Sequence, residues 1–255
     1  MSEPILKLQR DGALVTITLN RPERRNALDK EMVDAFHHVL DAAWEDDSIG
    51  AAIITGAGDQ AFVSGADIAE LKERRRREAL QSINSRLFQR IEDLPFPTIA
   101  AIRGFALGGG CELALACDLR VAGEGARLGQ PEVGLGIIPG AGATYRLPRI
   151  VGLARAREMI FTARIIDARE ALAIGLVNQV VPDSEVLPAA NSLAQSILRQ
   201  DPLAVRLAKM AFRIDGGSRP GAGFLAEALA QGILFDSDEK TRRMTEFLEK
   251  RTRKK

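Results

Sequence analysis

Short apolar runs rich in β-branched residues alternate with longer amphipathic stretches along most of this chain, and then they stop. Residues 13–19 (ALVTITL) alternate and read as a strand that Asn20-Arg21-Pro22 ends. Asp29 supplies an N-cap for a helix running to about Trp44. Residues 51–55 (AAIIT) form a buried strand closed by Gly56-Ala57-Gly58, and a helical stretch from about 67 to 93 is broken by Pro95 and Pro97. A strand at 98–102, a helix at 111–116 after Gly108-Gly109-Gly110, and a strand at 119–122 follow. The alternation continues to about residue 190 and prescribes an α/β class. From Asp201 onward strand signals vanish, and 202–212, 222–235 and 237–251 all read as helices. The expected division is a core at 1–198 that carries the site and a helical region at 199–255.

The 255 residues hold 35 Lys and Arg against 34 Asp and Glu. A net charge of +1 gives no global reason to expect nucleic acid or a membrane surface as partner. No apolar run approaches the ~18 residues of a membrane span. Met1-Ser2-Glu3-Pro4 has no basic region followed by an apolar one, so a cytoplasmic location is expected. Cys111 and Cys117 lie in an apolar stretch without CxxC spacing and read as reduced, buried thiols. His37 and His38 stand together with no Cys or His cluster around them, so they read as surface residues and no metal site is expected.

Two glycine-rich segments invite comparison with phosphate loops. Residues 104–110 (GFALGGG) lack a Gly-Lys-Ser/Thr ending, which argues against a P-loop. Residues 134–140 (GLGIIPG) carry one residue too many before the last glycine and follow Pro131-Glu132 instead of a clear strand. Glycines opening a helix do something else: they leave bare N–H groups in the positive field of the helix dipole. A carbonyl oxygen gaining negative charge is stabilised there. Ser64-Gly65-Ala66-Asp67 offers a second such N–H, so the two segments could form an oxyanion hole. The structural alternative is that the glycines only permit close helix–strand packing.

Glu112 sits in an almost wholly apolar neighbourhood, GGGCELALAC. A carboxylate there has to be paired, protonated or functional. Glu132, in GQPEVG, occupies a second apolar, turn-rich setting 20 residues on. Two carboxylates in one pocket can hold a water and divide acid and base roles. The structural alternative is a helix cap or a pair with an arginine such as Arg120 or Arg127.

At these residues the chain resembles the enoyl-CoA hydratase/isomerase family of the crotonase superfamily. The motifs are 20–28 (NRPERRNAL), 61–68 (AFVSGADI), 102–113 (IRGFALGGGCEL), 129–133 (GQPEV) and 138–142 (IPGAG), in family order and at family spacing. The resemblance implies a crotonase-like spiral of ββα units with a C-terminal helical trimerisation region. It also implies a homotrimer, or a hexamer made as a dimer of trimers. It places the oxyanion-hole donors on Ala66 and Gly109 and the hydratase glutamates on Glu112 and Glu132. Coenzyme A contacts fall on Arg25, Ala27, Leu28, Asp67 and Ile68. The substrate is an acyl-CoA thioester, and no separate cofactor is implied. Ala69 stands where many relatives have lysine, leaving Lys72 or a nearby arginine for the CoA phosphates, and Tyr145 replaces a common glutamine.

The expected reaction is reversible syn hydration of a trans-2-enoyl-CoA to a 3-hydroxyacyl-CoA. Glu112 is read as base and Glu132 as acid. One alternative is double-bond isomerisation, which needs proton shuttling but no activated water. Another is a branched methylglutaconyl-CoA-type hydratase that also binds RNA, with Arg74-Arg75-Arg76-Arg77 as the contact. Glu70, Glu73 and Glu78 interleave that run, which favours a solvated helix face near the CoA site. The basic end at 250–255 reads as a frayed, solvated terminus.

Overall fold

The computed structural model describes residues 3–66, 72 and 81–215, together with 229, 231–233, 235, 238, 239, 242, 243 and 249. The chain divides into two compact units, Met1–Gln195 and Ser196–Lys255.

In the first unit β1 (Leu6–Asp11) and β2 (Leu14–Leu19) form an antiparallel hairpin, with Leu6 opposite Leu19 and Asp11 opposite Leu14. Gly12 takes the left-handed conformation (φ 57°) that a tight hairpin turn needs. Helix α1 (Lys30–Glu45) starts where Asp29 accepts the Met32 N–H at 2.9 Å. Met32, Val33, Phe36 and Leu40 recur at helical spacing and are its buried face.

The chain then repeats one pattern. Strand β3 (Ala51–Gly56) is followed by β4 (Ala61–Val63) and, further on, by helix α2 (Ile83–Asp93). Strands β5 (Thr98–Ile102) and β6 (Phe105–Leu107) lead into helix α3 (Gly109–Ala116). Strands β7 (Leu119–Gly123) and β8 (Arg127–Gly129) lead into a 3₁₀ turn, Pro131–Leu135, and helices α4 (Ala143–Val151) and α5 (Leu153–Phe161). Strand β9 (Ile165–Asp167), helix α6 (Ala168–Ala173), β10 (Gln179–Val181) and helix α7 (Val186–Leu198) follow.

The first three turns lay their first strand into a six-stranded sheet, β1-β2-β3-β5-β7-β10, and their second into a four-stranded sheet, β4-β6-β8-β9; in the last turn the order is reversed and β9 pairs antiparallel with β8. From β2 onward the larger sheet is parallel. This is the crotonase spiral of ββα units. Strands β3 and β5 are buried at every residue, as parallel strands covered on both faces must be. Helix α3 is buried along its whole length.

The helix expected over 67–93 is not continuous. Ser82 adopts φ 50°, ψ 42°, a left-handed turn just before α2, and residues 67–71 and 73–80 lie outside the described residues. His38 is exposed as expected, but His37 is half-buried, with its Nδ1 2.8 Å from Arg90 Nη1. Cys111 and Cys117 are buried and are not joined in a disulfide. Burial first, then the charges of Glu112 and Glu132, pushes the Cys111 thiol up to about 12, so it is inert as a nucleophile.

In the second unit, α8 (Pro202–Asp215) is capped by Asp201, whose Oδ1 accepts the Ala204 N–H at 2.7 Å. Glu239 pairs with Arg242 and Arg243. The helices expected over 222–235 and 237–251 lie largely outside the described residues.

Candidate active site

The start of α3 is shaped by backbone crowding. A Cβ on Gly110 would sit 1.9 Å from the Val63 carbonyl oxygen, so only glycine lets β4 approach the helix this closely. Gly108 holds φ 51°, ψ −121°, outside the reach of side-chain-bearing residues, and donates its N–H to Gly129 O at 2.9 Å. The first N–H groups of a helix have no intrahelical partner and carry the positive end of its dipole.

Facing this helix start is the turn after β4. Gly65, at φ 112°, accepts the Leu28 N–H at 2.9 Å, and Leu28 and Ala66 form an isolated parallel bridge. The Ala66 nitrogen lies 3.7 Å from where a Cβ on Gly109 would be. The backbones of Ala66 and Gly109, from separate segments, therefore lie close together.

Glu112 lies one turn into the same helix and is only 2% exposed. Its Oε1 accepts N–H groups from Ala141 at 2.7 Å and Ala143 at 3.0 Å. Burial raises its pKa, opposed by these two hydrogen bonds and by the Arg146 cation. The arginines proposed as structural partners are engaged elsewhere. Arg120 donates to the carbonyls of Leu176 at 2.8 Å and Cys117 at 2.7 Å, and Arg127 donates to Ala126 O at 2.9 Å.

Glu132 enters from the 3₁₀ turn Pro131–Leu135, and its Oε1 lies 3.0 Å from where a Cβ on Gly108 would sit. The amide end of the wholly buried Gln130 lies 3.1 and 3.2 Å from the two Glu132 carboxylate oxygens, and it donates to them when its nitrogen is the atom turned inward. Burial pushes the Glu132 carboxyl up to about 7, and the negative charge of Glu112 adds to the rise.

Ala66, Gly109, Glu112 and Glu132 line one cavity of about 640 Å³. Its other walls are largely apolar, with Ile83, Leu107, Leu135, Ile137 and Ile138, and polar residues Ser82, Asn84 and Ser85 stand at the start of α2. Arg25, Ala27 and Leu28 do not line it. They sit on the neighbouring segment: Arg25 is exposed at φ 50° and its carbonyl accepts the Ser64 N–H at 3.1 Å, while Ala27 and Leu28 are buried. Asp67, Ile68 and the arginines at 74–77 lie outside the described residues, and Lys72 is exposed.

Sequence reasoning missed Gln130 and Arg146. Both are buried polar residues, and the available signal was their position: one precedes Pro131-Glu132, the other closes the turn that follows Gly140. Among the described residues no group of three His, Cys, Asp or Glu side chains could hold a metal ion, and no helix is long and apolar enough to cross a membrane.

The family model for enoyl-CoA hydratase/isomerase matches residues 9–254. A short-chain-enoyl-CoA hydratase of Clostridium acetobutylicum is 44% identical over 246 residues, covering 96% of this chain and 94% of that protein. A crotonyl-CoA hydratase of Syntrophomonas wolfei is also 44% identical, covering 96% and 95%. The crystal structure of an enoyl-CoA hydratase from Bacillus anthracis superposes with a TM-score of 0.93 at 38% identity, covering 97% of each chain. The spiral fold, the cavity and these relatives agree: the chain belongs to the enoyl-CoA hydratase/isomerase family.

Proposed function

We propose that the protein hydrates trans-2-enoyl-CoA thioesters reversibly to 3-hydroxyacyl-CoA, with short acyl chains among its substrates. The observation that carries this reading is the convergence of two carboxylates, Glu112 and Glu132, on a cavity that also presents the backbone of Ala66 and Gly109. The names of the Clostridium and Syntrophomonas relatives support the short-chain substrate.

In this reading the thioester oxygen accepts the N–H groups of Ala66 and Gly109. The conjugated double bond is polarised, and negative charge developing on the oxygen is stabilised. A water sits between the carboxyl groups. Glu112, whose ionised form is supported by two N–H donors, takes a proton from the water as its oxygen bonds C3. Glu132, with a pKa of about 7, is substantially protonated at neutral pH and delivers a proton to C2. The reverse reaction eliminates the same water. Coenzyme A is part of the substrate and no separate cofactor takes part. Arg25, Ala27, Leu28, Asp67 and Ile68 contact the CoA portion.

The protein works as a cytoplasmic homotrimer or a hexamer of paired trimers. Exposed apolar side chains away from the cavity support association, among them Leu153 (54% exposed) and Phe161 (73%).

The test is incubation with crotonyl-CoA, following loss of the conjugated enoyl absorbance and identifying 3-hydroxybutyryl-CoA by mass. Activity towards a 3-enoyl-CoA with no hydroxyacyl product from the 2-enoyl substrate would replace hydration by isomerisation.

A further inference from the structure

Glu112 is held by a turn, and the turn is held by an arginine. The Ala141 and Ala143 N–H groups both donate to Glu112 Oε1. The carbonyl of the same Ala141 accepts from Arg146 Nη1 at 3.0 Å. Gly142, between the two donors, has φ 120°, and a Cβ there would lie 1.9 Å from Arg146 Nη1. The turn is therefore moulded around the guanidinium, and only glycine leaves room for it.

Arg146 is fixed from its other side. It is only 3% exposed. Its Nε and Nη2 both reach Glu92 Oε2, at 2.9 and 2.6 Å, and Nη2 also lies 3.3 Å from Gln89 Oε1. Its guanidinium carbon stands 4.8 Å from the centre of the Tyr145 ring. Four neighbours thus lock the fork, and the edge turned away from Glu92 meets the Glu112 turn.

We infer that Arg146 is a positioning residue for the reaction: it holds the 141–143 turn so that its N–H groups bind Glu112, and its cation keeps that carboxylate ready to act as base. Glu92 opposes the second effect, because its anion neutralises the cation from the far side. This inference rests on the hydration reading above.

The charged and titratable groups around Glu112 come from several elements. Cys111 is its neighbour on α3, Glu132 comes from the 3₁₀ turn, Arg146 and Tyr145 from α4, and Glu92 from α2, behind Arg146. Among these described groups, only the Arg146–Glu92 pair contains two opposite charges whose removal has opposite consequences for Glu112.

The experiment compares pH profiles of kcat/KM for crotonyl-CoA hydration in the native protein, Arg146→Met, Arg146→Lys and Glu92→Gln. For Arg146→Met the acid limb moves to higher pH. The loss at pH 6 is about tenfold, it falls mainly on kcat, and it shrinks as the pH rises. Arg146→Lys keeps the charge and restores the acid limb. Glu92→Gln, at a site with 30% side-chain exposure, keeps the turn and moves the acid limb to lower pH. Shifts in the same direction for Arg146→Met and Glu92→Gln, or no shift in either, would overturn the inference. If Arg146→Met does not fold, the Glu92→Gln shift alone decides. A native protein that does not hydrate crotonyl-CoA fails the functional reading instead, whatever the variants do.

Discussion

Gly108 and Glu132 meet without a side chain between them: the space a Cβ on Gly108 would take is 3.0 Å from Glu132 Oε1. Gly108→Ala therefore pushes the acid out of place and strains a backbone at φ 51°. The carboxyl has to give by a few tenths of an ångström, so kcat falls by less than the roughly hundredfold that a misplacement of about 1 Å costs, and the strain costs ~1–3 kcal/mol of stability. Gly136→Ala is the control. Its φ is 75° and nothing lies within 4 Å of a Cβ there, so it destabilises while leaving kcat close to native. Steady-state kinetics with thermal unfolding separate the two.

Replacing either glutamate by glutamine removes a proton carrier and little volume. Glu112→Gln and Glu132→Gln are each expected to lose roughly 10²–10⁴-fold in hydration rate. The Glu112→Gln amide oxygen can still accept from Ala141 and Ala143, so far-UV circular dichroism remains native. A folded variant of either kind with near-native turnover would remove the two-carboxylate mechanism.

Ala66→Pro deletes one N–H from the proposed oxygen site. The preceding Gly65 already has an unusual φ of 112°, and as a glycine it tolerates a following proline better than other residues would. The expected loss is about 10²–10³-fold in kcat, with crotonyl-CoA affinity changed much less. An equal loss in affinity and turnover would count against a role confined to the transition state.

The raised Glu132 pKa has a sign for stability as well. Its folded value of about 7 lies above the ordinary 4.5, so the folded state binds this proton more tightly than the unfolded state does. The contribution is full below 4.5 and is lost as pH rises through about 7. Glu132→Gln, which cannot ionise, should therefore melt higher than the native protein at pH 8.5, and the gap should close towards pH 5. Discounted for solvent access, the gain is ~1 kcal/mol, or roughly 2–4 °C. Differential scanning calorimetry across that range measures it.

Much of the spiral was legible from the chain itself. The strand read over 13–19 is found at Leu14–Leu19, the helix after Asp29 at Lys30–Glu45, and the strand over 98–102 at Thr98–Ile102. These segments combine an apolar period with a strong stop signal. Strand β1 escaped because only Leu6 of its six residues is buried, so burial left no alternation to read. The three-residue strands β4, β6, β8 and β9 are too short to show a period at all. Within the site, Glu112 and Glu132 stood out as carboxylates in apolar surroundings. Arg146 did not, because an arginine in an amphipathic helix looks like any solvated one until Glu92 and Ala141 close over it.

The spiral also sets the order in which the molecule can become active. Ala66 follows β4, Gly109 follows β6 and Glu132 follows β8, three successive strands of one small sheet. The strands that space them pair in parallel with partners dozens of residues away, as Ala52 does with Thr98. Such pairings close long loops before they are rewarded, and they form late. Helix α1, 16 residues long and amphipathic, can appear early in refolding while the cavity does not yet exist. Recovery of turnover should then lag recovery of helical signal, making catalysis a clock for the last closure of the chain.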